Sequence, residues 1–269
     1  MTPEMFFDSL WTDYIRMAPK AARIKELFES RGETVRNDHV AFRTFGLEPV
    51  NLKALEKPIL KLGYERFSPY RFEAKKLDAY GYLHPDRSWP RIFLSELEVG
   101  ALGRKAQHII KDLVSQVDPA RVNRDDVLWA GRLWPAVSYA DYQALLEESE
   151  YAAWVAALGI RPNHFTISVT DLEKTPSLSE VLNVVQAAGY AINESGGRVK
   201  GSPEVLLEQG STMADRMEVE FAGGERHQIP TCYYEFARRY KDREGKLYDG
   251  FVAASADKIF ESTNARTSA

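Results

Sequence analysis

Only one cysteine, Cys232, occurs among the 269 residues, which excludes an internal disulfide or a cysteine-based zinc site and suits a reducing compartment. No apolar run approaches the ~20 residues that a membrane span needs. The stretch from Met1 to Arg36 carries charges throughout, without a basic-then-apolar signal pattern. A soluble, cytoplasmic protein is expected. The 35 Lys and Arg residues nearly balance the 39 Asp and Glu residues, with no dense basic block, which argues against nucleic acid or an anionic membrane as partner. Any anionic ligand must be met by a local Arg or Lys. Also missing are a phosphate-binding Gly-rich loop, a Gly-x-Ser-x-Gly elbow and a Cys-x-x-Cys pair, which leaves nucleotide-binding, serine-hydrolase and thioredoxin-like readings without support.

Apolar residues make up 44% of the chain, enough to bury a substantial core, and we read residues 1–269 as a single domain. Thr2-Pro3-Glu4 marks a helix start, and Phe6, Leu10, Tyr14, Ile24, Leu27 and Phe28 follow at helical intervals, predicting a helical segment over 1–36 that ends near Gly32. A first module over 37–100 reads as a strand from Asp38 to Phe45, a helix from Leu52 to Leu62 closed by Gly63, and short strands that include Arg91 to Leu94. Residues 101–160 read as a helical connection, with helices from Ala101 to Val117 and from Ser138 to Leu158. A second module over 161–240 repeats the order, with a strand from His164, a helix from Leu178 to Ala188, Gly189-Tyr190, and strands through Phe236. His39 stands 24 residues before Gly63 and His164 stands 25 before Gly189, a positional internal repeat. The expected fold class is α+β, with two pseudo-repeated β-α-β-β-β modules forming a barrel and added helices at the N-terminus and between the modules. Gly223-Gly224 predicts a hairpin between Met217–Phe221 and Arg226–Glu235, which puts Glu235 on its returning strand. In the C-terminal segment, 241–269, the tail from Asn264 to Ala269 is expected to be disordered.

Three strand-like stretches each carry one metal-type ligand: His39 in Asn37-Asp38-His39-Val40-Ala41-Phe42-Arg43, His164 in Pro162-Asn163-His164-Phe165-Thr166-Ile167, and Glu235 in Cys232-Tyr233-Tyr234-Glu235-Phe236-Ala237-Arg238. Two imidazoles and one carboxylate on one face of a metal leave adjacent positions open, the arrangement of non-haem Fe(II) oxygenases. Strand alternation puts His39, Ala41 and Arg43 on one face. The backbones of His39 and Arg43 are then ~13 Å apart, room for a small molecule with one end on a metal and the other, a carboxylate, on the guanidinium. A carboxylate at Glu235, between Tyr234 and Phe236, is costly unless paired or bound to a cation; Arg238 or Arg239 could instead neutralise it as a plain salt bridge. Glu218 and Glu220 compete with it for the third position. His84, His108 and His227 read as surface residues and Cys232 as a buried small side chain. Gln209, Ser211 and Thr212 are candidates for contacting substrate oxygens, although a polar turn explains them equally well.

These stretches, together with Asn163-His164-Phe165-Thr166, Tyr233-Tyr234-Glu235-Phe236-Ala237-Arg238-Arg239 and Ala256-Asp257-Lys258-Ile259-Phe260-Glu261-Ser262-Thr263, give the chain a resemblance to the 2-oxoadipate dioxygenase/decarboxylase family, relatives of the vicinal-oxygen-chelate metalloenzymes. The resemblance covers nearly the whole chain. It implies Fe(II) held by His39, His164 and Glu235, Arg43 as the carboxylate-binding arginine, and a vicinal-oxygen-chelate-like β-barrel. The implied partners are a 2-oxo diacid and O2, and the implied reaction takes 2-oxoadipate to 2-hydroxyglutarate with release of CO2. Two other readings fit the same residues: a zinc-type hydrolase or glyoxalase-like lyase, and a barrel that only sequesters a small ligand.

Overall fold

Ten strands were found in the computed structural model, which describes residues 1–264. They are β1 (Asn37–Phe45), β2 (Glu65–Phe72), β3 (Leu77–Leu83), β4 (Arg91–Leu97), β5 (Pro162–Ser168), β6 (Lys200–Ser202), β7 (Leu207–Ser211), β8 (Arg216–Glu220), β9 (Arg226–Pro230) and β10 (Tyr233–Arg239). Eight form one mixed sheet in the order β2-β3-β4-β1-β5-β10-β7-β6, while β8 and β9 make a separate hairpin. The two central strands, β1 and β5, run antiparallel. Each has a parallel neighbour on its outer side, β4 beside β1 and β10 beside β5. The class is therefore α+β. Both central strands are buried along almost their whole length, as strands covered on both faces must be.

One face of the sheet is closed by the N-terminal helices. Tyr14 packs on Phe165 and Tyr234, with ring centroids 5.0 and 6.3 Å apart, and its hydroxyl donates to the Tyr233 carbonyl at 2.5 Å. The helical segment read as continuous is two helices, Pro3–Met17 and Pro19–Ser30, because Pro19 has no N–H to continue the ladder. Gly32 follows at φ 80°. The Ser138 to Leu158 stretch likewise divides into Tyr139–Glu148 and Glu150–Leu158, with the Ser149 hydroxyl capping the second by accepting from Ala152 N at 3.2 Å. Leu52 to Leu62 forms two short helices, Leu52–Leu55 and Lys57–Lys61, with Pro58 in the first turn of the second.

The other face carries the candidate ligands, and the C-terminal helix Ala253–Ile259 and its 3-10 continuation Phe260–Thr263 lie across it. This helix touches β2 at one end of the strand order and β6 and β7 at the other. A single short helix can do so only because the sheet is curled toward it. Of the tail expected to be disordered, Asn264 donates to Glu261 at 2.7 Å, and the remaining five positions lie outside the described residues. Among the described residues, no helix is long and apolar enough to cross a membrane.

The hairpin reading needs one correction. Gly223-Gly224 does turn the chain between β8 and β9, but β9 ends at Pro230, and Glu235 lies on β10 in the main sheet. Pro230 cannot donate a ladder hydrogen bond. At the next position the Thr231 amide instead donates to the Asp215 carbonyl, and the chain changes sheets.

Candidate metal centre

Strand register assembles the site in rows. His39 pairs with Thr166 across β1 and β5, Thr166 with Glu235 across β5 and β10, and Glu235 with Ser211 across β10 and β7. The adjacent row joins Ala41, His164 and Tyr233. Directly paired residues project from the same face, so three ligand positions on three neighbouring strands face one point. One ligand atom from each of His39, His164 and Glu235 lies within 4.8 Å of the others. All three side chains are buried.

Each imidazole is held by the residue before it. His39 Nδ1 lies 2.7 Å from Asp38 Oδ1, and an ionised carboxylate can only accept, so Nδ1 carries the proton. That leaves the Nε2 lone pair for the centre, 3.6 Å from Glu235 Oε1 and 3.1 Å from the Thr166 hydroxyl. His164 Nδ1 lies 3.1 Å from Asn163 Oδ1, and its Nε2 lies 3.1 Å from Glu235 Oε2. Burial, then the neighbouring His39 and Arg43, push the His164 imidazolium well below its usual range. It is therefore neutral at physiological pH, as a metal ligand must be.

Among the described residues, no arginine forms an ion pair with Glu235. Burial raises its pKa, while His39 and a hydrogen bond from Gln209 Nε2 at 2.7 Å act to lower it. Arg239, considered from sequence as its counter-ion, goes elsewhere: its Nε and one terminal nitrogen clamp Asp38 at 2.7 and 2.9 Å. Burial acts to raise the Asp38 pKa, but Arg239, His39 and Arg91 hold it well below the usual carboxylate range. The chain Arg239–Asp38–His39 is the carboxylate–histidine support that metal-binding imidazoles typically have. Two imidazoles and one carboxylate, with no lysine or arginine paired to the carboxylate among the described residues, fit a divalent metal.

Around the cluster, His39, Ala41, Phe93, His164, Gln209, Glu235, Phe251, Ala256, Ile259 and Phe260 enclose a cavity of about 20 Å³. Arg43 follows His39 and Ala41 on the same face of β1 and is fully buried. One terminal nitrogen donates to Glu150 Oε1 at 2.9 Å and the other to Thr263 Oγ1 at 3.0 Å, while Nε has no partner. The rings of Tyr151, Trp154 and Phe260 lie 5.1 to 5.3 Å from its guanidinium carbon. Gln209 lines the cavity, and its Oε1 is buried without a partner. Ser211 is engaged with Ser262 Oγ at 2.8 Å, and Thr212 Oγ1 accepts from Tyr234 N at 3.1 Å. Glu218 and Glu220 lie on β8, exposed and within 3.4 Å of Arg226, away from the cluster. His108 is exposed, while His84 and His227 are half-buried outside it. Cys232 is buried, with Sγ 3.3 Å from the Pro162 carbonyl.

Asp38, Arg239, Glu150, Tyr233 and Thr263 were not singled out as site residues from sequence. Asp38 could have been: a charged residue inside an apolar strand must be paired. The residues that meet it and Arg43, 201 and 220 positions further on, carry no local signal of doing so.

A sequence-family profile described as 2-oxoadipate dioxygenase/decarboxylase matches residues 12–124 and 125–246. The chain is 37% identical to the 2-oxoadipate dioxygenase/decarboxylase, chloroplastic/amyloplastic, of Oryza sativa subsp. japonica, over 93% of this chain and 76% of that protein. Among solved structures it is similar to the hydroxyglutarate synthase from Oryza sativa in complex with 2-oxoadipate, with TM-score 0.90, 34% identity, and coverage of 98% of this chain and 94% of that one. It is also similar to a candidate hydrolase from Shewanella frigidimarina NCIMB 400, with TM-score 0.89, 49% identity, and coverage of 94% and 98%. A Ralstonia eutropha JMP134 structure assigned to the glyoxalase superfamily shares the fold, with TM-score 0.70 at 22% identity over 90% of this chain and 83% of that one.

Proposed function

Because the chain belongs to the 2-oxoadipate dioxygenase/decarboxylase family, we propose that it is an Fe(II)-dependent enzyme that converts 2-oxoadipate and O2 to 2-hydroxyglutarate and CO2. The observation that carries the reading is the buried His39, His164 and Glu235 cluster with a buried arginine two strand rows from His39. A bound Fe(II) would supply the redox chemistry and a place for O2 beside a chelated 2-oxo acid. The protein's own residues position and exclude. His39 and His164 present Nε2 lone pairs because Asp38 and Asn163 hold their Nδ1 atoms, and Gln209 fixes Glu235. Arg43 offers its unpaired Nε and a planar fork to the far carboxylate. Phe93, Phe251, Ile259 and Phe260 keep the space dry. A volume of about 20 Å³ holds about one water, so a six-carbon diacid enters by displacing part of the cover formed by Ala253 to Thr263.

The strand order supports reading the sheet as two β-α-β-β-β units that meet at the β1–β5 pair: β1, β4, β3 and β2 run outward on one side, and β5, β10, β7 and β6 on the other. Relative to the first unit, the second carries the β8–β9 hairpin as an insertion.

The test is oxygen uptake by Fe(II)-loaded protein on adding 2-oxoadipate, with 2-oxoglutarate and methylglyoxal–glutathione as comparisons. One CO2 released per O2 consumed, selectively with 2-oxoadipate, is expected. Turnover that proceeds without O2 favours the alternative, a metal hydrolase or lyase on the same donor set, to which the likeness to the Shewanella candidate hydrolase gives weight. Arg43→Ala is expected to raise KM for 2-oxoadipate by roughly 100-fold or more, the loss of a charge-assisted hydrogen-bond pair, while bound iron stays at the parent level. Equal loss of iron would remove Arg43 from the substrate role.

A further inference from the structure

Among the described residues, nine polar side-chain atoms are buried without a partner, and four of them, Arg43 Nε, Asn163 Nδ2, Gln209 Oε1 and Tyr233 Oη, belong to residues around the metal cluster. Native interiors rarely leave such groups unpaired, and a cluster of them signals a missing partner. Arg43 Nε and Tyr233 Oη form a pair of interest, since both can donate. Tyr233 is 1% exposed. Its position is dictated by register: on β10 it precedes Glu235 by two residues on the same face and pairs directly with His164. Its ring stacks on that imidazole with centroids 4.6 Å apart and planes 24° apart. It falls in one small apolar cluster with Ala214 and Ile259 of the covering helix, and Ile259 is part of the cavity wall.

The rows set the direction. His39 and Glu235 occupy one row, Ala41, His164 and Tyr233 the next, and Arg43 lies one step beyond Ala41 on β1. A molecule reaching from the metal cluster to Arg43 runs past the methyl of Ala41 on one strand and the ring of Tyr233 two strands away. Glu235, Arg43 and Glu150 are among the charges that act on its phenol. Among the described residues, none hydrogen-bonds to it.

We propose that the Tyr233 hydroxyl is a substrate-positioning donor that, together with Arg43, holds the far carboxylate of a 2-oxo dicarboxylic acid. This rests on the reaction class proposed above. Two donors from two strands fix both the direction and the reach of that carboxylate, whereas a lone arginine fixes only its charge. Tyr233 thereby reads the second acidic group and not the 2-oxo acid end.

The experiment compares parent and Tyr233→Phe in three measurements: thermal unfolding of the metal-free protein, oxygen-free binding to the Fe(II)-loaded protein by calorimetry, and oxygen uptake. Calorimetry uses 2-oxoadipate and 2-oxohexanoate, which has the same length without the far carboxylate. The expected result is a Kd for 2-oxoadipate raised roughly 10- to 100-fold, an unchanged Kd for 2-oxohexanoate, and a metal-free Tm that holds or rises, because the hydroxyl removed had no partner. Equal weakening for both acids would move the hydroxyl to the 2-oxo acid end and overturn the proposal. So would unchanged binding of 2-oxoadipate, absence of binding to the parent, or a fall in the metal-free Tm. If the parent binds 2-oxoadipate but consumes no O2, the reaction assignment fails, and the Tyr233 proposal still stands or falls on the difference in binding.

Discussion

Glu235→Gln is expected to remove bound metal and lower turnover by at least about 1,000-fold, while leaving the metal-free protein as stable as its parent or more so. The two halves of this result have one cause. Glu235 is the only carboxylate of the cluster, 1% exposed, and it lacks an arginine. Holding such a group in the interior costs free energy that only a cation offsets. Glutamine keeps the shape and a hydrogen-bonding oxygen for the Gln209 amide but gives up the charge, so the metal site fails while the cost of burial is relieved. Protonation follows the same logic. The Glu235 pKa is raised in the folded, metal-free chain, so this carboxyl favours the folded state below its unfolded pKa of about 4.3. That contribution is lost as pH rises through the higher folded value. The metal-free variant should therefore lose less stability over this window than the parent. Metal content by elemental analysis, and urea unfolding of the metal-free proteins at several pH values, test both halves. Glu220→Gln, on the exposed hairpin beside Arg226, is expected to be silent. Full metal occupancy in Glu235→Gln would mean that a different carboxylate closes the site.

Asp38→Ala is expected to act on both stability and metal. Asp38 accepts two hydrogen bonds from Arg239 and one from His39, and the Arg239 side chain is fully buried. Removing the carboxylate leaves an unpaired guanidinium in the interior, a loss of about 3–5 kcal/mol. It also frees His39 Nδ1, and loss of such a support typically weakens metal binding by about 10–100-fold. The Asp38 contribution is present above the unfolded carboxylate pKa, about 3.9, and is lost as pH falls through its depressed folded value. The parent should consequently show a step of acid destabilisation below about pH 4 that the variant lacks. Chemical unfolding combined with competitive metal titration measures the two effects. A variant of parental stability would show that the remaining contacts of Arg239, to the Tyr248 and Gly250 carbonyls at 3.1 and 2.6 Å, suffice to hold it.

The strands bearing His39 and His164 were legible in the sequence because each is a run of apolar residues interrupted by one polar face. The break at Pro19 was equally open to reading, yet the helical spacing of Phe6 to Phe28 masked it. The position of Glu235 was less legible. Turn chemistry at Gly223-Gly224 announced a hairpin correctly, but the stop at Pro230 and the start of a separate strand at Tyr233 in the main sheet follow from pairing with β5 and β7, which leaves no local signal. The alternative of Arg238 or Arg239 as a plain salt-bridge partner of Glu235 rested on proximity in sequence, whereas Arg239 pairs with Asp38 across the sheet. Long-range pairing of charges, and a short helix laid over the site from the far end of the chain, leave almost no local pattern to read.

The β1–β5 seam has a thermodynamic consequence of its own. His39 stands on one side of it, and His164 and Glu235 stand on the other. A cation shared by these three side chains is therefore a cross-link between the halves of the chain, formed only when β1 and β5 are in register. Slippage of β1 by one residue against β5 would turn His39 to the face opposite His164 and Glu235. By mass action, a metal that binds only the registered state lowers the population of every opened form by the factor 1 + [M]/Kd. Amide exchange across β1 and β5 is thus expected to slow as metal is added more than exchange in the β8–β9 hairpin, and occupancy of the centre becomes a gauge of how tightly the two halves are docked.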